Sequence, residues 1–490
     1  MKKILCVLLT ASTLVPLLTG CSGDTAENTE TNAAETTAEE TAAETEPERP
    51  PLELPVTDYN GAAVTIMSAL VEGTATSTRF AEFLYDEALA GEGVNDAVLD
   101  RNNTVEELLN VDIVSNDIAG SSIATTLKNQ TIAGDTSVDV YTPYMENLLG
   151  IITKGYLTNL YDMPVMNIEN PWWDQAINQD LGIAGKVFMQ GGDILLSSKE
   201  LHCYLGVNSK ILSDFGLDMP YQTVLDGKWT LDAMYDLCKN LTVDLNGDGI
   251  LNQDDQFGYT HTKDSAYWMF VDAGGRIAEL NDAGEPVLAD KMEQNLAILE
   301  KMAQIYANPE VFYDVNKMPS TWTTNREMFM NDQVAMQPAS IYNLQSRREM
   351  VSNFGILPYP KFDENQEDYI NCPTSFRMQA ITISVTNAQM EATGSVLEAL
   401  AYHSKDTTVE AYYEANLQGK VSRDDESRQM LDIIFSTISY DLIETYRWGK
   451  MFNAVTNGIA NPGSFVSAYT ATETATTTAM QETYSFFAEN

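Results

Sequence analysis

The chain has 490 residues and a formal net charge of -43, with 71 Asp and Glu against 28 Lys and Arg. That length exceeds one ordinary hydrophobic core, so two or three lobes are expected. The charge excludes nucleic acid and anionic lipid headgroups as partners, and it disfavours anionic ligands unless a local basic pocket overrides the field.

The N-terminus opens "MKKILCVLLTASTLVPLLTGC". Lys2 and Lys3 followed by an apolar run of roughly 15 residues read as a secretory signal peptide over 1–20, too short to be a spanning helix. Leu18-Thr19-Gly20-Cys21 resembles the bacterial lipobox, which implies that Cys21 is lipidated, becomes the first mature residue and holds a soluble body at a membrane. Residues 21–51 are almost entirely Thr, Ala and Glu and end on Pro50-Pro51. Such a segment has no large apolar residue to bury against its ordering entropy, so it reads as a disordered, self-repelling tether.

The body begins with a strand-forming run at 62–70. Residues 78–117 carry an apolar helical stripe that ends on a strand at Val111 to Val114. A strand is expected at 137–144, a helix at 145–160, and two short strands at 186–197 split by Gly191-Gly192. "KWTLDAMYDLCKNLT", 228–242, is a helix capped by Thr230, with Leu231, Met234, Leu237, Cys238 and Leu241 along one face. The last third is helix-rich from 390 onward. Strands alternating with helices define an α/β class, a mainly parallel sheet with helices on both faces. Cys203, Cys238 and Cys372 form no disulfide framework. They read as three buried thiols, with one pair plus a free thiol as the alternative.

"DLNGDGILNQDD", 244–255, fits the twelve-position calcium-loop template. Asp244, Asn246 and Asp248 stand at positions 1, 3 and 5, and Gly249 at the sharp turn. Ile250 offers its backbone carbonyl, Asn252 acts directly or through water, and Asp255 replaces the usual Glu at position 12. All donors are hard oxygens, which select Ca2+ over zinc or copper. One helix precedes the loop but "QFGYTHT" after it reads as strand or turn, so the ion is expected to brace a lobe and not to act as a sensor. The competing reading is a plain Gly/Asn/Asp turn cluster.

The order of the segments carries a resemblance. "NPWWDQAI", "GKVFMQGGDI", "GVNSKIL", "KWTLDAMYDL", "MFVDAGGRI", "MFMNDQVAMQ", "NFGILPYPKFDENQEDY", "VLEALAYHSKD" and "YRWG" run from about residue 137 to about 450. In this order they resemble the substrate-binding lipoproteins of ABC transporters, in the sugar-binding group related to maltose-binding protein. The acidic tether, the longer C-terminus and the calcium-like loop fall outside that pattern. The resemblance implies a two-lobed, periplasmic-binding-protein-like fold of type II whose interleaved lobes are joined by hinge crossings. Lobe 1 is placed at 52–198 with 378–423, and lobe 2 at 199–377 with 424–490.

No nucleophile elbow, His-Glu-x-x-His motif or phosphate loop is present, and His202, His261 and His403 are far apart. Abundant carboxylates leave a glycosidase pair as the enzymatic alternative, with nothing marking one pair out. A sugar site needs aromatic platforms beside planar polar groups. By motif order Trp268 and Trp448 occupy platform positions, with Tyr144 and Tyr342 in comparable slots, and Asn343 and Arg377 as hydroxyl partners. Trp172 or Trp173 is expected to be structural, and Trp229 a packing residue. The expected protein is a monomeric, non-enzymatic receptor, anchored by lipid to the outer face of the bacterial cytoplasmic membrane. It delivers an oligosaccharide to ABC permease subunits. The alternatives are the same receptor for a peptide or other solute, and a calcium-dependent surface scaffold or adhesion protein.

Overall fold

The run at 62–70 forms the strand β1, Ala62–Met67. The structure, a computed structural model, describes residues 49–70, 81–417 and 425–489. The signal segment 1–20, Cys21 and the tether up to residue 48 lie outside the described residues, as do 71–80 and 418–424. Residues 50–490 form one compact unit.

Two sheets organise this unit. In the first, β1 lies between β2 (Val111–Ser115) and β3 (Val140–Tyr141), all parallel. Much later in the sequence the chain returns to its edge, through single antiparallel bridges Tyr141–Thr382 and Tyr144–Gln379. Helices Gly93–Leu109 and Met390–Ser404 pack against each other, and the second of them also packs on β1.

The second sheet uses β4 (Cys203–Asn208), β5 (Phe257–Thr260), β8 (Phe312–Tyr313), β9 (Val334–Ser340) and β10 (Phe354–Leu357). Between β5 and β8, the short strands β6 (Ala278–Leu280) and β7 (Pro286–Leu288) form a separate hairpin. The strand order is β10-β4-β9-β5-β8. Every residue of β4, β5, β9 and β10 is buried, which is why they read as continuous apolar runs instead of alternating ones. This sheet is mixed: β4 is antiparallel to both neighbours, while β5 is parallel to β8 and β9. The expectation of a mainly parallel sheet therefore holds only for the first.

Three local expectations are corrected. The helical stripe in the described part of 78–110 becomes α-helix only from Gly93, after a single 3-10 turn Glu87–Leu89, because Gly91 takes a left-handed φ of 95° that separates the two. The helix expected over 145–160 stops at Leu148, in a stretch punctuated by Gly150 and by Gly155 at φ 72°. Residues 186–197 form no strand pair. Their backbone groups instead bond to distant segments, with Leu160 N donating to Val187 O and Asp193 N to Trp172 O.

The helix Leu231–Cys238 forms as expected, with the Thr230 hydroxyl accepting from Ala233 N. Cys203, Cys238 and Cys372 are all free and buried. Both Trp172 and Trp173 are structural. Their indole N–H groups donate to the two oxygens of Glu398, at 3.1 and 2.9 Å, and Asn170 and the backbone of Asn167 donate to the same carboxylate. Trp229 is buried and donates to Pro358 O. One hydrophobic cluster runs from Val64 in the first sheet to Phe487 near the C-terminus.

Candidate functional site

Two chain segments connect the sheets beside a cavity of about 300 Å³. The first crossing, 194–202, leads into β4 and contributes Glu200 and Leu201 to the wall; the second, 371–380, contributes Thr374, Phe376 and Arg377. Asp264 and Trp268 come from the helix Lys263–Asp272, Trp322 from the helix Thr321–Met330, Tyr342 and Asn343 from the turn after β9, and Arg447 from the turn after Leu442–Tyr446.

Local chemistry fixes each wall. Lys263–Asp272 starts with a capping box in which Thr262 and Ser265 satisfy each other's backbone donors. Its residues Ser265 to Asp272 are all buried. Tyr267 Oη donates to Asp441 at 2.7 Å, and Asp272 accepts from Cys372 N at 2.8 Å. The helix that carries Trp268 is thereby tied to the second crossing and to the segment that carries Arg447. A second capping box, Ser340 with Asn343, turns the chain at the end of β9 and sets Tyr342 beside the cavity.

The polarity is mixed. Arg377 and Arg447 hold left-handed φ of 63° and 52°, a strain that persists where the surroundings over-determine it. Arg447 bonds Glu444 at 3.0 Å and lies 3.7 Å from the Phe452 ring centroid. Burial pushes Glu444 up to about 7 against the pull of Arg447. Burial also raises Asp264, partly offset by Arg447 and Lys263. Arg447 thus faces Glu444 and Asp264, and Arg377 faces Glu146. Four aromatics line the cavity. Trp268 is 5 % exposed and its Nε1 has no acceptor among the described residues. Trp322 and Phe376 are half exposed, at 50 % and 52 %.

Of the residues expected from the sequence, Trp268, Tyr342, Asn343 and Arg377 are brought together here. Trp448 lies outside the lining. It stacks on Tyr446 at 4.8 Å and donates to Thr483 in the C-terminal helix. Gly449 beside it takes φ 59°, and a Cβ there would collide with Thr476 of that helix. Tyr144 is buried at the edge of the first sheet against Gly120, also outside the lining. The sequence reading did not assign Trp322, Phe376, Asp264 or Arg447. Only Trp322 carried a signal, a tryptophan in the polar run "STWTT".

The loop 244–255 folds as a chain of side-chain-to-backbone turns. Asp244 accepts from Gly247 N and Gly249 N, Asn246 from Asp248 N, Asp248 from Ile250 N, and Asn252 from Asp254 N. Asp255, fully buried, accepts from Leu245 N and Asn252 N, and Ile250 O accepts from the Asn252 amide. Among the described residues no three His, Cys, Asp or Glu side chains gather into a group that could hold a metal. The loop acids are turned to the loop's own N–H groups.

Two sheets joined by crossings that flank a cavity define a ligand-capturing receptor. The comparisons give its family. The profile of the bacterial extracellular solute-binding protein family matches residues 105–419, and the chain belongs to that family. Its members are receptors of transport systems and not enzymes. No curated protein matches the chain. Among solved structures, a sugar transporter from Rhizobium etli in an open conformation aligns at TM-score 0.54 and 11% identity, over 87% of this chain and 99% of that one. A cyclic alpha-maltosyl-1,6-maltose binding protein from Arthrobacter globiformis gives 0.52 and 13%, over 88% and 100%. An ABC substrate-binding protein from Listeria monocytogenes in complex with cycloalternan gives 0.50 and 14%, over 84% and 99%. These likenesses establish the two-lobed α/β fold. No described helix is long and apolar enough to cross a membrane.

Proposed function

We propose that this receptor captures a carbohydrate, an oligosaccharide, and presents it to the permease of an ABC importer. The observation that carries the reading is the wall of the cavity: Trp268, Trp322, Tyr342 and Phe376 beside Asn343, Asp264 and Arg377. Aromatic faces suit the apolar C–H faces of sugars, and planar polar groups suit their hydroxyl edges. The Trp268 ring supplies an aromatic wall for a sugar face. Capture works by hinge closure, the ligand stabilising the form in which the two lobes meet. The sugar ligands named for the structural neighbours support this reading.

The rest of the expected biology is proposed with it. Cys21 carries the lipid, residues 21–51 form the tether, and the body works as a monomer outside the cell. The lobes divide at 198/199, 377/378 and 423/424. Ca2+ is a structural ion of the loop 244–255. Its donors, Asp244, Asn246, Asp248, the Ile250 carbonyl, Asn252 and Asp255, are all oxygens in the right order. A carboxylate or amide oxygen that accepts one N–H retains a second lone pair. Titration calorimetry against a panel of oligosaccharides and oligopeptides tests the central reading. Saturable heat with sugars supports it, and heat with peptides alone overturns it.

A further inference from the structure

One side chain outside the cavity wall holds both crossings. Glu82 is buried, and its carboxylate accepts from Leu196 N at 2.6 Å and Ser197 N at 2.9 Å on the first crossing. It also accepts from Gln379 Nε2 at 3.3 Å on the second. Ser197 itself lines the cavity, and Gln379 follows Arg377 by two residues. Gln379 Oε1 in turn accepts from Ala69 N at 3.1 Å, Ser68 Oγ at 3.0 Å and Thr142 Oγ1 at 2.7 Å, just past β1 and β3. A backbone N–H can only donate, so Ala69 fixes the Gln379 amide with its Nε2 toward Glu82. Arg101 completes the cluster from the helix Gly93–Leu109. It donates to Glu82 O at 2.6 Å and to Ile194 O at 3.4 Å, at the start of the first crossing.

We propose that Glu82 is a positioning residue for capture: its carboxylate fixes both crossings relative to the first sheet, and its protonation loosens them, so that the receptor holds its ligand less tightly in acid. This rests on the reading of the cavity as a site closed by hinge movement, and it holds for a sugar or for any other solute. All three N–H groups that meet the carboxylate need an acceptor. Ionised, it is an acceptor only; a proton turns one oxygen into a donor aimed at donors, and a bond at the crossings is lost. Burial raises Glu82 from 4.5 to about 6, against the pull of the Ser197 and Leu196 N–H groups, the Ser197 hydroxyl and Arg101. Among the described residues Arg101 is the charged group that acts on it. Stability carries the opposite sign. The folded state holds the Glu82 proton more tightly than the unfolded state does, so this group's contribution to stability is fully present below about 4.5 and is lost as pH rises through about 6. A residue serving the fold alone would not weaken capture under conditions in which it stabilises the chain.

Two measurements test this. The first needs no ligand: hydrogen exchange of the wild-type protein, read at peptides covering 194–198 and 377–381. Protection there, corrected for the intrinsic effect of pH, should fall about tenfold between about pH 7.5 and about pH 5, and Glu82→Gln, the neutral isostere, should be poorly protected at both. The second is titration of both proteins with maltotriose, cellotriose and trialanine at the same two pH values. For whichever binds, the wild type should lose about tenfold more affinity in acid than the variant, since about pH 5 lies one unit below the Glu82 value of about 6. Glu444 and Asp264 are present in both proteins, so the difference belongs to Glu82. Over the same fall in pH the melting temperature of the wild type should rise relative to that of the variant. Equal pH dependence of affinity in the two proteins, or protection at the crossings that acid leaves unchanged, overturns the proposal. Binding of trialanine alone, with the expected pH dependence, overturns the carbohydrate reading and leaves the role of Glu82 standing. Should the variant not fold, or none of the three bind, exchange in the wild type decides alone.

Discussion

At the scale of single residues, two buried carboxylates separate structure from function. Glu398 receives the indole N–H groups of Trp172 and Trp173 and two further donors from the 167–170 turn. Glu398→Ala would strand those buried donors at once, and it is expected to cost about 2–4 kcal/mol of stability. Chemical denaturation of the variant checks this. Glu444 answers a different question. Burial raises it from 4.5 to about 7, so the folded state holds its proton more tightly than the unfolded state does. Its contribution to stability is fully present below about 4.5 and is lost as pH rises through about 7. The melting temperature of Glu444→Gln should therefore fall less than that of the wild type between those two pH values. Parallel slopes would show that Glu444 does not titrate there. Residue identity explains part of what the sequence revealed. Trp268, Tyr342, Asn343 and Arg377 were legible because motif order locates them. Phe376 was not, because its place on a cavity wall depends on a crossing that brings distant segments together, and Arg447, inside "YRWG", was passed over for its neighbour Trp448.

At the scale of elements, legibility followed the range of the interactions. The helix Leu231–Cys238 was readable with its cap because Thr230 and Ala233 are neighbours in the chain. The stretch 186–197 was not, because its backbone partners are Leu160, Trp172 and Ile381. Trp448 shows the same limit. What covers it is the helix Phe465–Glu489, part of the longer C-terminus that the family resemblance did not reach. The loop 244–255 lies between these cases. Its turns are local and were anticipated, whereas its ion is proposed from donor order. If Ca2+ binds there, millimolar Ca2+ should raise the melting temperature above that in chelator, and Asp248→Ala should remove most of the difference. Asp248 suits this test because its side chain bonds only within the exposed part of the loop. Equal melting temperatures with and without the ion would reduce the loop to a turn cluster.

At the scale of the whole molecule, the length anticipated two or three lobes, the patterning an α/β class and the family resemblance the two-lobed arrangement, and the structure adds how the two sheets are joined. The bridges Tyr141–Thr382 and Tyr144–Gln379 return the chain to the edge of the first sheet just after the second crossing. Wall residues from both crossings therefore meet residues of the second sheet's helices around one cavity. The account's central claim is that a carbohydrate is bound there, against the Trp268 ring. Trp268→Phe shortens that aromatic wall and keeps a ring. The smaller ring leaves a gap at a buried position and should lower the melting temperature modestly, while a ligand packed on the indole should bind about tenfold more weakly. The most direct measurement is titration calorimetry of the wild type and Trp268→Phe with the sugar that binds best. The predicted result is saturable one-site binding by the wild type and at least that loss in the variant. Equal affinities, or no heat from any sugar with the wild type, would contradict the claim.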